Sequence, residues 1–200
     1  MVQRDTIDDR QEAAPRPGDA TLDPKFRGFF PIPNTPIIMK ASAKPRVDVT
    51  FDSDFAGDDG RFVTAKIPVQ GEPMHEGDGE TNLNGKGSQI RWDVRAPDLA
   101  GAPRFYYQND FYGSGGGNFN YRLQHLYGQV YDVVIGQTYS VFEDPDVWPD
   151  TVDYEGPNSM IFARKPLVRY QVPLNDEWHL NLGLEKPDSS ADSYGETAVT

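Results

Sequence analysis

The sequence predicts an all-β fold: a transmembrane, antiparallel up-and-down β-barrel, here an incomplete barrel of about seven strands. Three observations predict it. Residues 119–142 (FNYRLQHLYGQVYDVVIGQTYSVF) alternate with a period of two on either side of a very short turn at Tyr131 and Asp132, the signature of a hairpin. The apolar face of that hairpin carries Phe119 and Tyr121 near one end, Tyr127 and Tyr131 near the other, and Leu123 between, like aromatic girdles around an apolar band. Finally, the connections between predicted strands alternate between tight and long, as periplasmic turns and external loops do in outer-membrane barrels.

Composition permits this fold without requiring it. The 200 residues are 37% hydrophobic and 12% aromatic, with a mean hydropathy of −0.64. No run approaches the roughly eighteen apolar residues of a membrane helix, which excludes helical spanning and leaves barrel strands open. The absence of cysteine fits an oxidising periplasm and a soluble β-sandwich equally. A formal charge of −12 argues against a nucleic-acid partner. No basic segment followed by an apolar core opens the chain, so an exported protein of this sequence is expected to have lost its signal or to be a fragment. Residues 1–27 read as a mobile periplasmic leader, since 2–24 mix Asp, Glu, Arg and Pro with little apolar periodicity.

From Ile37 the polar residues Lys40, Ser42, Lys44, Arg46, Asp48, Thr50 and Asp52 alternate with the uncharged Met39, Ala41, Ala43, Pro45, Val47, Val49 and Phe51. This predicts one long strand, with Pro45 marking a bulge or an edge because it removes a ladder donor. A polar, Gly-rich stretch follows at 53–87, in which 61–69 has the pattern of a short edge strand. Ile90, Trp92, Val94 and Ala96 against Gln89, Arg91, Asp93 and Arg95 predict a second strand, closed by a short turn at 97–103. A third sets Phe105, Tyr107 and Phe111 against Arg104, Tyr106, Gln108 and Asp110, with Asn109 out of pattern on the apolar side. GSGGGN at 113–118 leads into the hairpin, whose second strand sets Val133, Ile135, Tyr139 and Val141 against Gly136, Thr138 and Ser140.

Beyond the acidic connection 143–160, Val168, Tyr170 and Val172 against Arg169 and Gln171 predict a sixth strand. Trp178, Leu180, Leu182 and Leu184 against His179, Asn181 and Gly183 predict a seventh, and 188–200 read as the start of an external loop. A bacterial barrel needs an even number of strands, and open edges in lipid leave backbone groups unpaired. Residues 28–187 are therefore expected to form the N-terminal half of a barrel.

Several stretches, in order, carry a family resemblance: GFFPIP at 28–33, NDFYGSG at 109–115, RLQHLYG at 122–128 and GQTYSVFEDPD at 136–146, then DYEGP at 153–157, RKPLVRY at 164–170 and LEKP at 184–187. Together they resemble the DcaP-like outer-membrane porins of Gram-negative bacteria. The resemblance implies a homotrimeric, sixteen-stranded porin of the outer membrane that passes small anionic, dicarboxylate-like solutes and contacts lipid and lipopolysaccharide. The sequence departs from that pattern by lacking the signal, the N-terminal coiled-coil segment and the second half of the barrel.

Parity assigns the candidate pore-lining residues. The polar face of the first strand sends Lys40, Lys44 and Arg46 inward, and later strands add Arg91, Arg95, Arg104, Arg122 and Arg169. Inward acids are fewer: Asp48, Asp52, Asp93 and Asp110. Rows of Arg or Lys favour anions in pores, so an anion-guiding ladder is expected. The alternative is the solvated face of an ordinary sheet, with some arginines paired to Asp93 and Asp110. In the connection 143–160, Glu143, Asp144, Asp146, Asp150, Asp153 and Glu155 are the candidate acids of a constriction loop, a role that the resemblance to porins implies. An acidic surface loop binding divalent cations is the alternative. His125 falls on the outer, aromatic face by the same parity.

An enzyme is not expected. Gly85-Lys86-Gly87-Ser88 lacks the spacing of a phosphate loop, and GSGGG has no strand-to-helix context. His75, His125 and His179 show no metal-ligand spacing, and no cofactor is indicated. The competing reading is a soluble all-β module that binds carbohydrate or another ligand. In it the odd-numbered faces bury one another in a core; in a barrel they face lipid.

Overall fold

The computed structural model describes residues 24–53, 67–69, 79–114, 119–143, 145, 163–175 and 178–187. Ten strands run through them: β1 (Phe30–Pro31), β2 (Ile38–Lys44), β3 (Asp48–Asp52), β4 (Glu80–Asn84), β5 (Gln89–Arg95), β6 (Arg104–Asp110), β7 (Arg122–Val130), β8 (Val133–Tyr139), β9 (Arg164–Pro173) and β10 (His179–Glu185). Eight form one antiparallel sheet in the order β1-β2-β5-β6-β7-β8-β9-β10, and β3 pairs with β4 in a separate ribbon. The large sheet is thus an up-and-down meander that stays open, with β1 and β10 at its edges, as expected for an incomplete barrel.

The long first strand predicted at 37–52 divides in two. Pro45 lacks the N–H that a ladder needs, so β2 ends at Lys44 and the chain turns before β3. Ser88 staples this corner: its Oγ accepts from the Arg46 amide at 3.0 Å and donates to the Arg46 carbonyl at 3.1 Å. β4, in the Gly-rich stretch, carries no strong apolar alternation and was not predicted. The extra strand expected at 61–69 lies mostly outside the described residues.

Burial is inverted relative to a soluble domain. Four apolar side chains count as buried among the described residues (Phe29, Ala96, Val134 and Leu167), against eleven polar or charged ones. Outward positions are apolar and open: Trp92, Phe105, Leu126, Ile135, Val168, Leu180, Leu182 and Leu184 are each more than a third exposed. Among the described residues no core gathers these side chains, which removes the main support for the soluble-module reading. Apolar side chains left open along one face of the sheet are what a hydrocarbon surround requires.

One bulge resets the alternation. Along β6 and β7, Gln108 pairs with His125 but Asn109 pairs with Leu123, so Gln124 is the extra residue. Gln124 and His125 are both buried among polar groups. The prediction that His125 and Tyr127 lie on the outer aromatic face is therefore corrected: register puts both opposite the inward Gln108 and Tyr106. Strict parity carried from Phe119 fails because a bulge shifts it by one. Asn109, out of pattern in the sequence, is satisfied where it sits, accepting from the Tyr107 hydroxyl at 3.2 Å and donating to the Asp110 carbonyl at 3.4 Å. Opposite Tyr127, Gly136 has φ +136°, and a Cβ there would collide with the Leu126 carbonyl and the Tyr127 backbone.

Candidate functional site

The inward face of the sheet is a wall of charged and hydrogen-bonding side chains in three clusters. At the short-turn end, Asp93 holds two arginines. Arg95, two residues along β5, approaches Oδ2 of Asp93 to 2.6 Å with its Nη2, and Arg104 on β6 reaches the same oxygen at 2.8 Å. Arg104 also lies over the rings of Tyr106 and Tyr127, with its Cζ 5.1 and 5.9 Å from their centroids. Antiparallel pairing of Tyr106 with Tyr127 makes this stack, since cross-strand neighbours on one face approach closely.

The second cluster surrounds the bulge. Arg122 forms an ion pair with Asp110 across β6 and β7 while lying over the Tyr112 ring at 5.2 Å. Gln124 donates to Oδ2 of Asp110 at 2.7 Å and accepts from Gln108 and, at 3.4 Å, from Gln89. Arg91 donates to the Gln89 side chain. The inserted residue thus fills what would otherwise be unsatisfied capacity on the buried Asp110 carboxylate.

The third cluster joins β7, β8 and β9. Arg164 donates from Nε to Nε2 of His125 at 3.3 Å and from Nη2 to the Tyr139 hydroxyl at 3.3 Å. Because Nε2 accepts, the proton of a neutral His125 sits on Nδ1, facing Thr138 Oγ1 at 3.1 Å. Nearby, Glu185 accepts from Ser140 Oγ at 2.8 Å and from the Val141 amide at 3.2 Å, with Lys165 Nζ 3.8 Å away. Glu143 accepts from the Ala163 amide, closing the base of the connection between β8 and β9. Burial pushes the Glu143 carboxyl above its ordinary range, a shift that the Ala163 amide and Arg164 oppose.

The structure gathers most of the residues that parity selected. Arg91, Arg95, Arg104, Arg122 and Arg169 occupy inward positions in the large sheet, as do Lys40 and Lys44, which pair with Asp93 and Gln89. Arg46, Asp48 and Asp52 do not share that wall. Arg46 sits at the corner after β2 and is bound to Asp48, with its Nε 2.6 Å from Oδ1, while Asp48 and Asp52 belong to the β3–β4 ribbon. Of the constriction-loop acids, Glu143 is described; Asp144, Asp146, Asp150, Asp153 and Glu155 lie outside the described residues, as do 1–23 and 188–200. The sequence reading missed Arg164 and Lys165, because it started the sixth strand at Val168. β9 in fact begins at Arg164 and accommodates Pro166 at an exposed position.

A family model described as "DcaP outer membrane protein" matches residues 30–196, which include every strand of the large sheet. The chain belongs to the DcaP outer membrane protein family. Among solved structures, the outer membrane channel DcaP of Acinetobacter baumannii superposes with a TM-score of 0.65 at 21% identity, covering 80% of this chain and 44% of that one. That likeness shows the fold, and the chain spans less than half the length of the channel it matches. No curated protein matches the chain.

Proposed function

We propose that this DcaP-family chain contributes part of the wall of an outer-membrane porin through which small hydrophilic solutes diffuse, with a preference for anions such as dicarboxylates. The observation that carries the proposal is the charge of the inward wall. Lys40, Lys44, Arg91, Arg95, Arg104, Arg122, Lys165 and Arg169 stand there against Asp93, Asp110 and Glu185, in a chain whose overall charge is −12. A local cationic excess held between low-dielectric walls concentrates anions. Two of the acids fix arginines in place: Asp93 holds Arg95 and Arg104, and Asp110 holds Arg122. Solutes then meet ordered donors at little further entropic cost.

A homotrimer in the outer membrane, bounded by lipid and lipopolysaccharide, is the assembly in which this wall would work. The acidic segment 143–160 would narrow the lumen opposite the basic wall. Reconstitution of the full-length protein in planar bilayers tests the proposal. Stepwise conductance with anion-selective reversal potentials is expected, and a protein that inserts without conducting would overturn it.

A further inference from the structure

The segment before β1 does not lie along the outside of the sheet. Pro24–Phe26 form a short 3-10 turn, and the Phe29 amide donates to the Phe26 carbonyl at 3.1 Å. Gly28, at φ +81°, reverses the chain, a conformation that costs glycine little. Phe30 then pairs with Met39, which sets Phe29 beside the inward Lys40. Phe29 is 6% exposed and packs edge-on against Phe26 with ring centroids 5.9 Å apart. Two cations of the wall cover it: Arg95 Cζ lies 4.9 Å from the Phe29 centroid and 6.0 Å from that of Phe26, and Lys40 Nζ lies 5.7 Å from Phe29. Two phenyl rings are thus held on a polar, cationic surface, an arrangement that cation–π attraction stabilises and solvation of a bare wall does not.

We infer that residues 24–29 are a constriction element at the short-turn mouth of the channel, seated on the wall by Arg95 and Lys40. The inference rests on the reading of the polar wall as a pore lining. Arg95 is engaged on both aspects, its nitrogens by Asp93 and its face by the two rings. It therefore acts as an anchor for the segment rather than as a donor to passing solutes. Lys25, exposed and 5.2 Å from the Phe26 centroid, becomes the cation presented at the mouth in its place.

The test uses the full-length protein in planar bilayers. Phe26→Ala/Phe29→Ala is expected to shift unitary conductance upward. A Lys25→Cys variant supplies a new thiol in a stretch of 200 residues with no cysteine, and the unaltered full-length protein treated alike is its control. A negatively charged methanethiosulfonate reagent added on the short-turn side of that variant is expected to cause a stepwise loss of current. If the double alanine variant fails to assemble, the thiol measurement still decides the matter. Channels whose current is unchanged by the reagent, and by the alanine substitutions where that variant assembles, overturn this inference and leave the pore reading intact. If the unaltered protein forms no channels, the pore reading falls and this inference falls with it.

Discussion

Arg104 on β6 places its Nη2 2.8 Å from Oδ2 of Asp93, diagonally across the strand pair, and its face over Tyr106 and Tyr127. The same carboxylate binds Arg95, so one acid orders two cations while cancelling one. Asp93→Asn removes that cancellation. The variant is expected to show a stronger anion preference by reversal potential. Its stability should fall by roughly 1–3 kcal/mol, because two arginines lose their charged acceptor in a partly buried site.

Arg122 and Arg169 offer the opposite manipulation. Neutralising both, as Arg122→Gln and Arg169→Gln, lowers the positive charge of the wall, so anion preference is expected to fall without loss of conductance. Loss of Arg122 also takes a charged side-chain donor from the buried Asp110 carboxylate. Arg169→Gln alone leaves the Arg122–Asp110 pair in place and is expected to move selectivity in the same direction.

Gln124 tests the bulge. Deleting it removes the bulge and leaves Leu123 opposite Asn109 and Arg122 opposite Asp110. The register survives on both sides while the buried Asp110 carboxylate loses the Gln124 donor. The deletion is expected to lower the thermal midpoint in detergent through those lost hydrogen bonds, with Arg122 still paired to Asp110. Gln124→Ala, which keeps the register, is expected to cost about 1 kcal/mol through its lost hydrogen bonds.

Glu143 gives a pH dependence. Its carboxyl is raised chiefly by burial, so the folded protein favours the neutral form relative to the unfolded chain. The stabilising difference is fully present below the ordinary glutamate range, near pH 4.3, and is lost as pH rises through the raised folded value. Glu143→Gln, a permanent neutral mimic, should match the parent in acid and become more stable than the parent as pH rises. Thermal unfolding of the two proteins across pH 3 to 8 would show the curves diverging; curves that stay parallel contradict the expectation.

Much of this arrangement was legible in the sequence, for an identifiable reason. Where strands keep strict alternation, as at Gln89 to Arg95 or His179 to Glu185, parity assigned every side chain to its observed face. It failed where backbone chemistry interrupts the period. Pro45 ended a strand that the polar pattern carried through to Asp52, and the extra residue Gln124 turned His125 and Tyr127 inward. Arg164 and Lys165 were missed because the alternation counted for that strand began at Val168, whereas β9 begins at Arg164. The pairing of Arg95 and Arg104 on one carboxylate depends on register between β5 and β6, which alternation within a strand does not determine.

The outward face carries its own test. Leu182 lies on β10 and is 53% exposed. Leu182→Arg is expected to block insertion into lipid vesicles, whereas Leu182→Phe should be tolerated. Vesicle flotation separates the two outcomes.

The most direct measurement for the account as a whole is the reversal potential of single channels of the full-length protein in a planar bilayer under a salt gradient. A cationic wall built on Arg91, Arg104, Arg122 and Arg169 predicts a potential of anion-selective sign that weakens when Arg169 is neutralised. A cation-selective potential, or one unmoved by Arg169→Gln, would contradict it.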